Sequence, residues 1–255
     1  MEYHQITAPH SRGDRHCLAL KDQCLIKSQP EILKQQYQLR FADSQEYREK
    51  VWQILCNDFF AGLVPAESVV LDLGAGWGEF INNIQAKQKF AMDLNPATPE
   101  HLNKEITFVH QDCSQPWQID SDSINVIFTS NFLEHLNSKP SIERTVAEAY
   151  RCLKPGGLFI CMGPNIKCVP GDYWNFWDHQ IPLTELSCAE LMQITGFSVV
   201  EKIARFLPFS MSGGRKSPLF MVRLYLKLPL LWPLFGKQFL VIGKKPISTA
   251  PGVDQ

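Results

Sequence analysis

Val70-Leu71-Asp72-Leu73-Gly74-Ala75-Gly76-Trp77-Gly78-Glu79-Phe80 carries the reading of this chain's fold. The apolar, β-branched run Ser68–Leu73 predicts a strand, and Phe80 and Ile84 predict a helix directly after the turn. Glycines at 74, 76 and 78 let the backbone turn tightly and approach a ligand without a Cβ in the way. The helix then begins with free N–H groups aimed at the same place. A dinucleotide fingerprint needs a small residue five positions after Gly74, where Glu79 stands. The turn reads GxGxG.

Outward from this turn, strands and helices alternate. Strands are predicted at 68–73, 89–94, 106–111, 124–129, 158–162, 197–203 and 238–243, with helices over 141–153 and 184–195. Lys154-Pro155-Gly156-Gly157 reads as a helix stop, and Gly196 as the residue just past a helix end. Upstream, Tyr47, Val51, Ile54, Leu55 and Phe59 predict a helix capped by Ser44, while residues 1–40 read as a polar arm or irregular cap. The fold class is α/β, a doubly wound, mostly parallel seven-stranded sheet with an N-terminal helical cap. Residues 1–66 form the arm and cap, 67–245 the sheet domain with a helical insertion at 206–236, and 246–255 a tail. In such sheets ligands lie outside the carboxyl ends of the strands, near the point where strand order reverses.

Those ends carry acids. Asp93 ends the second strand 19 residues after Gly74, where a carboxylate can take both hydroxyls of a ribose. Asp112 ends the third strand, with Cys113 beside it, in reach of an adenine edge. Together with Met92-Asp93-Leu94, Gln111-Asp112-Cys113, Phe128 through Leu136 and Leu153-Lys154-Pro155-Gly156-Gly157-Leu158, the glycine turn resembles the class I S-adenosylmethionine-dependent methyltransferases, closely over about 68–165 and loosely to 245. That resemblance implies a Rossmann-like methyltransferase domain using S-adenosylmethionine. It also implies that Gly74, Ala75, Gly76 and Gly78 pack on the methionine part and that Asp72 supports the turn. Asp93 with Leu94 would then hold the ribose, Asp112 with Cys113 would border the adenine, and Ser130 and Asn131 would line the path to the methyl group. An antiparallel strand is implied at 237–242.

Methyl transfer from a sulfonium is an in-line displacement in which positioning supplies most of the acceleration. A base helps when the acceptor is a hydroxyl. His135, one turn after the fourth strand and beside Glu134, is one candidate. The other lies in Gly171-Asp172-Tyr173-Trp174-Asn175-Phe176-Trp177-Asp178-His179-Gln180-Ile181-Pro182, where the resemblance puts the substrate pocket. There Asp178 is expected to orient His179 as a base, and Tyr173, Trp174 and Trp177 to wall the substrate. The bland alternative is that these aromatics staple the loop and His179 caps a helix. The function expected is methyl transfer to a small-molecule, sugar- or lipid-linked acceptor at oxygen. A non-catalytic nucleotide-binding protein and an NAD(P)-dependent oxidoreductase are the alternatives; Glu79 and the lack of a paired Tyr/Lys count against the latter.

Composition narrows the setting. The chain has 255 residues, 25 Lys+Arg and 26 Asp+Glu, for a formal charge of −1. That total gives no case for nucleic-acid binding. Yet nine basic residues and no acid fall between Lys202 and Lys245, so the rest of the chain carries −10. The apolar stretch from Leu219 to Phe235 contains Arg223, Lys227, Pro229 and Pro233, which argue against a membrane span. It reads instead as a helix covering the sheet, or as an interfacial helix receiving an anionic acceptor or a membrane surface. Ser212–Ser217 could form a phosphate nest. The eight cysteines form no CxxC and no Cys/His cluster with zinc spacing, so no metal site is readable and a reducing cytoplasm, with peripheral contact at a membrane, is the expected setting.

Overall fold

The computed structural model describes residues 29–208 and 216–247. Ser212–Arg215, the larger part of the expected phosphate nest, falls outside them, as do Cys17, Cys24 and the tail beyond residue 247. Seven strands form one sheet: β1 (Val69–Leu73), β2 (Gln88–Met92), β3 (Thr107–Val109), β4 (Ile124–Ser130), β5 (Leu153–Pro164), β6 (Ser198–Ile203) and β7 (Gln238–Lys244). Their spatial order is β3-β2-β1-β4-β5-β7-β6. The first five run parallel, and β7 inserts antiparallel between β5 and β6. Strand order reverses between β1 and β4, which opens a crevice at their carboxyl ends.

Alternation along each strand sends side chains into two layers. From β1, Val70 joins a core with Trp52, Phe60, Phe80 and Phe128, while Leu71 and Leu73 join another with Ile142, Val146 and Phe159. The first layer is covered by α2 (Gln45–Asp58) and α3 (Glu79–Asn83), the second by α4 (Lys139–Cys152) and α5 (Glu185–Thr195). The stripe Ile142, Thr145, Val146 and Ala149 buries one face of α4. Its start is fixed by Ser138, whose Oγ accepts from the Ser141 N–H at 3.2 Å. In α5, Thr184 and Ser187 make a reciprocal capping box, and Gly196 ends the helix at φ 112°.

Two expectations change. The supposed arm contains a helix, α1 (Gln29–Phe41), whose apolar pattern is weak because it rests on the cavity described below. The helix stops at Cys152, just before 154–157 as expected, but those residues are taken into β5 as a bulge, with Gly156 at φ 82°: the register jumps from Ile124↔Leu153 to Val126↔Leu158. A Cβ on Gly157 would lie 2.9 Å from the Asn125 carbonyl, so only glycine passes there. Between β6 and β7, α6 (Leu219–Leu226) and α7 (Trp232–Phe235) pack on α2 through Leu226, Tyr225 and Trp232.

Candidate functional site

After Leu73 the chain enters the glycine turn with φ of 73° at Gly74, 55° at Gly76 and 74° at Gly78. The turn is held from β2. The Met92 carbonyl accepts from the N–H of Gly74 and Ala75 at 2.9 and 3.1 Å, and Asp93 Oδ2 accepts from Gly76 N–H at 2.7 Å. Asp93 Oδ1 takes the Asn95 N–H at 2.7 Å and the Leu94 N–H bonds the same carboxylate, which leaves room for one further donor from a ligand. Burial pushes the Asp93 carboxyl up, against those N–H bonds. Asp72 is buried beneath and hydrogen-bonds the Ile81 backbone, which anchors the start of α3. The glycines serve the chain's own packing: a Cβ at Gly74 would sit 2.2 Å from the Phe132 ring, and one at Gly76 2.5 Å from the Tyr37 hydroxyl.

A cavity of about 360 Å³ opens along these strand ends, within the range of small-ligand sites. Asp72, Gly74, Ala75, Asp93 and Leu94 line one part, Asp112 and Cys113 another, and Ser130 and Asn131 the middle. Gly76 and Gly78 stand behind it; Trp77 turns away to pack on Tyr37, Phe41 and His101. Asp112 Oδ1 accepts from the N–H and Oγ of Ser114, both at 2.8 Å. Burial raises the Cys113 thiol to about 12, so it borders the cavity as an apolar group. Asn131, at φ 50°, donates from Nδ2 to Ser130 Oγ at 2.8 Å.

The aromatic loop is arranged differently from the expectation. Tyr173 is fully buried, its hydroxyl donating to the Ile181 carbonyl at 2.5 Å, and it staples the loop to the core. Trp174 packs against Tyr173, outside the cavity. Trp177 lines the cavity and is 90% exposed, and Phe176 lines it too. Asp178 does not hold His179. Its carboxylate binds the Arg40 guanidinium of α1 at 2.9 and 2.5 Å and faces His135 Nδ1 at 3.3 Å. Burial works to raise the Asp178 carboxyl, and Arg40 and His135 overcome it, so its pKa stays below the usual value. His179 packs among Phe176, Tyr173 and His135. Burial, then the neighbouring His135, lowers its pKa to about 4, which keeps the ring neutral at physiological pH.

The residues missed by the sequence reading come from the helices. Tyr37 and Arg40 of α1 and Arg48 of α2 line the cavity, and Arg48 pairs with Glu79 at 2.6 and 3.0 Å. One signal was available: Leu33, Tyr37 and Phe41 recur every four residues.

The known family described as "Methyltransferase domain" matches residues 44–202. The chain belongs to the class I S-adenosylmethionine-dependent methyltransferases. Phosphoethanolamine N-methyltransferase 1 of Triticum aestivum is 31% identical over an alignment of 106 residues that covers 37% of this chain and 21% of the wheat protein. The match therefore spans about a fifth of that relative's length. Among solved structures, a SAM-dependent methyltransferase from Archaeoglobus fulgidus superposes with a TM-score of 0.61 at 18% identity, over 80% of this chain and 99% of that one. The methyltransferase solved with the Trm112 activator of Haloferax volcanii gives 0.61 at 16% identity, over 87% and 99%. Those likenesses are of fold. The family's cofactor is S-adenosylmethionine, and the donor set suits it: a lone-paired carboxylate at Asp93 beside a glycine turn, and a second acid at Asp112 next to the apolar Cys113.

Proposed function

We propose that this methyltransferase moves a methyl group to an oxygen of a small-molecule, sugar- or lipid-linked acceptor seated between the end of β4 and the 171–182 loop. The observation that supports this is one continuous cavity running from Asp93 and Asp112 to His135, Asp178 and His179. S-adenosylmethionine supplies an electrophilic methyl group there. In this reading Asp93 with Leu94 takes the ribose, Asp112 and Cys113 flank the adenine, and Gly74 and Ala75 meet the methionine part, with Gly76 and Gly78 shaping the turn. Ser130 and Asn131 line the path between donor and acceptor. Trp177 closes the acceptor side. His179, neutral and with Nδ1 unpartnered among the described residues, accepts the acceptor's proton, while Asp178 fixes the ring of its neighbour His135.

Calorimetry with S-adenosylhomocysteine tests the cofactor half: binding weakened at least tenfold in Asp93→Ala supports it, and binding of NAD alone overturns it. Incubating cell-extract metabolites with isotope-labelled cofactor and locating the label by mass spectrometry tests the acceptor half. The wheat relative is named for N-methylation, which favours an amine as the second reading. A label on nitrogen would establish that reading in place of oxygen.

The acceptor's setting is proposed from the far side of α6 and α7. Phe220, Met221, Leu224, Leu230, Leu234 and Phe235 are all at least half exposed, with Arg205, Arg223 and Lys227 exposed around them. No described helix is long and apolar enough to cross a membrane. A basic, apolar face of this kind suits the surface of an anionic bilayer.

A further inference from the structure

We propose that Glu134, His135 and His179 bind a single divalent transition-metal ion at the acceptor end of the cavity. One donor atom from each lies within 4.8 Å of the other two, and all three residues line the cavity. His135 Nε2 and Glu134 Oε1 are 4.0 Å apart, too long for a direct hydrogen bond. One ion bonded at roughly 2.0–2.2 Å to each can bridge that gap, with a small closure of the two donors bringing them to tetrahedral spacing. The three donor atoms must draw inward onto the ion to complete the set.

The donor atoms are prepared for this. Glu134 and His179 are 2% and 8% exposed, yet Glu134 Oε1 and His179 Nδ1 have no hydrogen-bond partner among the described residues. Two buried acceptors left open beside the same space call for a common partner. In each imidazole the other nitrogen is already committed. His135 Nδ1 faces the Asp178 carbonyl at 3.1 Å and its carboxylate at 3.3 Å, so it carries the proton and Nε2 presents its lone pair toward Glu134. His179 hydrogen-bonds the Tyr173 backbone through its ring, which leaves Nδ1 as the free lone pair. A histidine whose second nitrogen donates to a carboxylate or a carbonyl is the usual form of a metal-binding histidine. Arg40 in turn clamps Asp178.

The segments that carry the ligands are also tied to each other. The Glu134 carbonyl accepts from Gln180 N–H at 2.8 Å and Ile181 N–H at 3.1 Å, which zips the turn after β4 to the 178–181 segment. Two imidazoles and one carboxylate select zinc, manganese, iron, cobalt or nickel over calcium and magnesium, which prefer all-oxygen shells. The remaining positions face the cavity, where a hydroxyl or phosphate oxygen of the acceptor would fill them. With the ion bound, His179 Nδ1 is a ligand, and the ion's lowering of the bound hydroxyl's pKa takes the place of proton transfer to His179. This use of the ion rests on the methyl-transfer reading; the binding of the ion does not.

The test uses untagged full chain stripped with chelator and titrated with Co(II) and Zn(II) in the absence of cofactor. One saturable equivalent is expected, with visible Co(II) bands showing nitrogen ligation. Glu134→Gln and His179→Ala should each weaken binding at least tenfold, and Asp178→Asn should weaken it by about 10–100-fold without removing a ligand. Circular dichroism and thermal melting identify which variants are folded, and three variants on separate residues keep the comparison open if one is not. No saturable binding by the unsubstituted chain overturns the site, as does one equivalent unchanged in the folded variants. Failure of the cofactor reading shows separately, as absent S-adenosylhomocysteine binding.

Discussion

At the scale of single residues, the glycine turn shows how local conformation and packing share one position. Gly74 has φ 73°, and its missing Cβ leaves room for the Phe132 ring 2.2 Å from where that atom would be. Alanine there meets both a backbone penalty and a ring that must move. Gly74→Ala is therefore expected to lower stability by roughly 2 kcal/mol or more, read by chemical denaturation. A double variant with Phe132→Ala should recover the clash and keep the φ penalty; full recovery would show that φ costs nothing. The glycine signature was legible in the sequence as a ligand-binding feature. That Phe132 and Tyr37 of the same chain fill the space was not, because they lie 58 and 39 residues away in sequence. Asp178 gives the same lesson: its neighbour in sequence is His179, yet its carboxylate pairs with Arg40, 138 residues distant.

At the scale of elements, two contacts carry predictions. The first is α4 against the 117–119 segment. The Arg151 guanidinium holds the Glu148 carboxyl below its ordinary pKa, against a smaller contribution from burial, and Glu148 Oε2 also accepts from Trp117 N–H at 2.6 Å. A carboxyl whose pKa is lowered by folding stabilises the protein above its unfolded-state pKa and loses that contribution as pH falls. Glu148→Gln should cost about 1 kcal/mol at pH 7, and the gap from the unsubstituted protein should close as acid brings the solution below about pH 4. A pH-independent gap in urea unfolding would refute this account. The second contact is α1 on the aromatic loop, through Arg40–Asp178 and Arg40 over the Phe176 ring at 5.1 Å. Arg40→Ala should release α1 from the cavity mouth and speed amide exchange in residues 29–41 at least tenfold, measured by hydrogen–deuterium exchange; unchanged exchange would mean α1 is held by other contacts.

At the scale of the whole molecule, the asymmetry of charge is partly spent inside the fold. Lys245 pairs with Asp122 at 2.7 Å and bonds the Leu153 carbonyl at 2.8 Å, and Lys237 lies 3.8 Å from Asp172. These cations fasten the β5–β7 side. The ones left near the apolar face of α6 and α7 are Arg205, Arg223 and Lys227, with Arg223 only loosely near Asp58 at 3.5 Å. If that face meets an anionic bilayer, the protein should co-sediment with phosphatidylglycerol vesicles at low salt and be released as salt screens the charges. Phe220→Glu with Leu230→Glu should reduce the bound fraction several-fold. Failure to sediment at low salt would mean the face does not dock on lipid.

The strand and helix periods, the glycine turn and the acids at strand ends are local patterns, and they sufficed to identify the doubly wound sheet and the methyltransferase family. Such patterns encode which face of an element is buried and where the backbone must bend. What they do not encode is which side chains from remote segments converge. The covering of the cavity by Tyr37 and Arg40, the transfer of Asp178 from His179 to Arg40, and the meeting of Glu134 and His135 with His179 across more than forty residues arise when β4, α1 and the aromatic loop pack together. Burial then sets their chemistry, because a polar atom removed from water must find its partner within the fold or in a bound ligand.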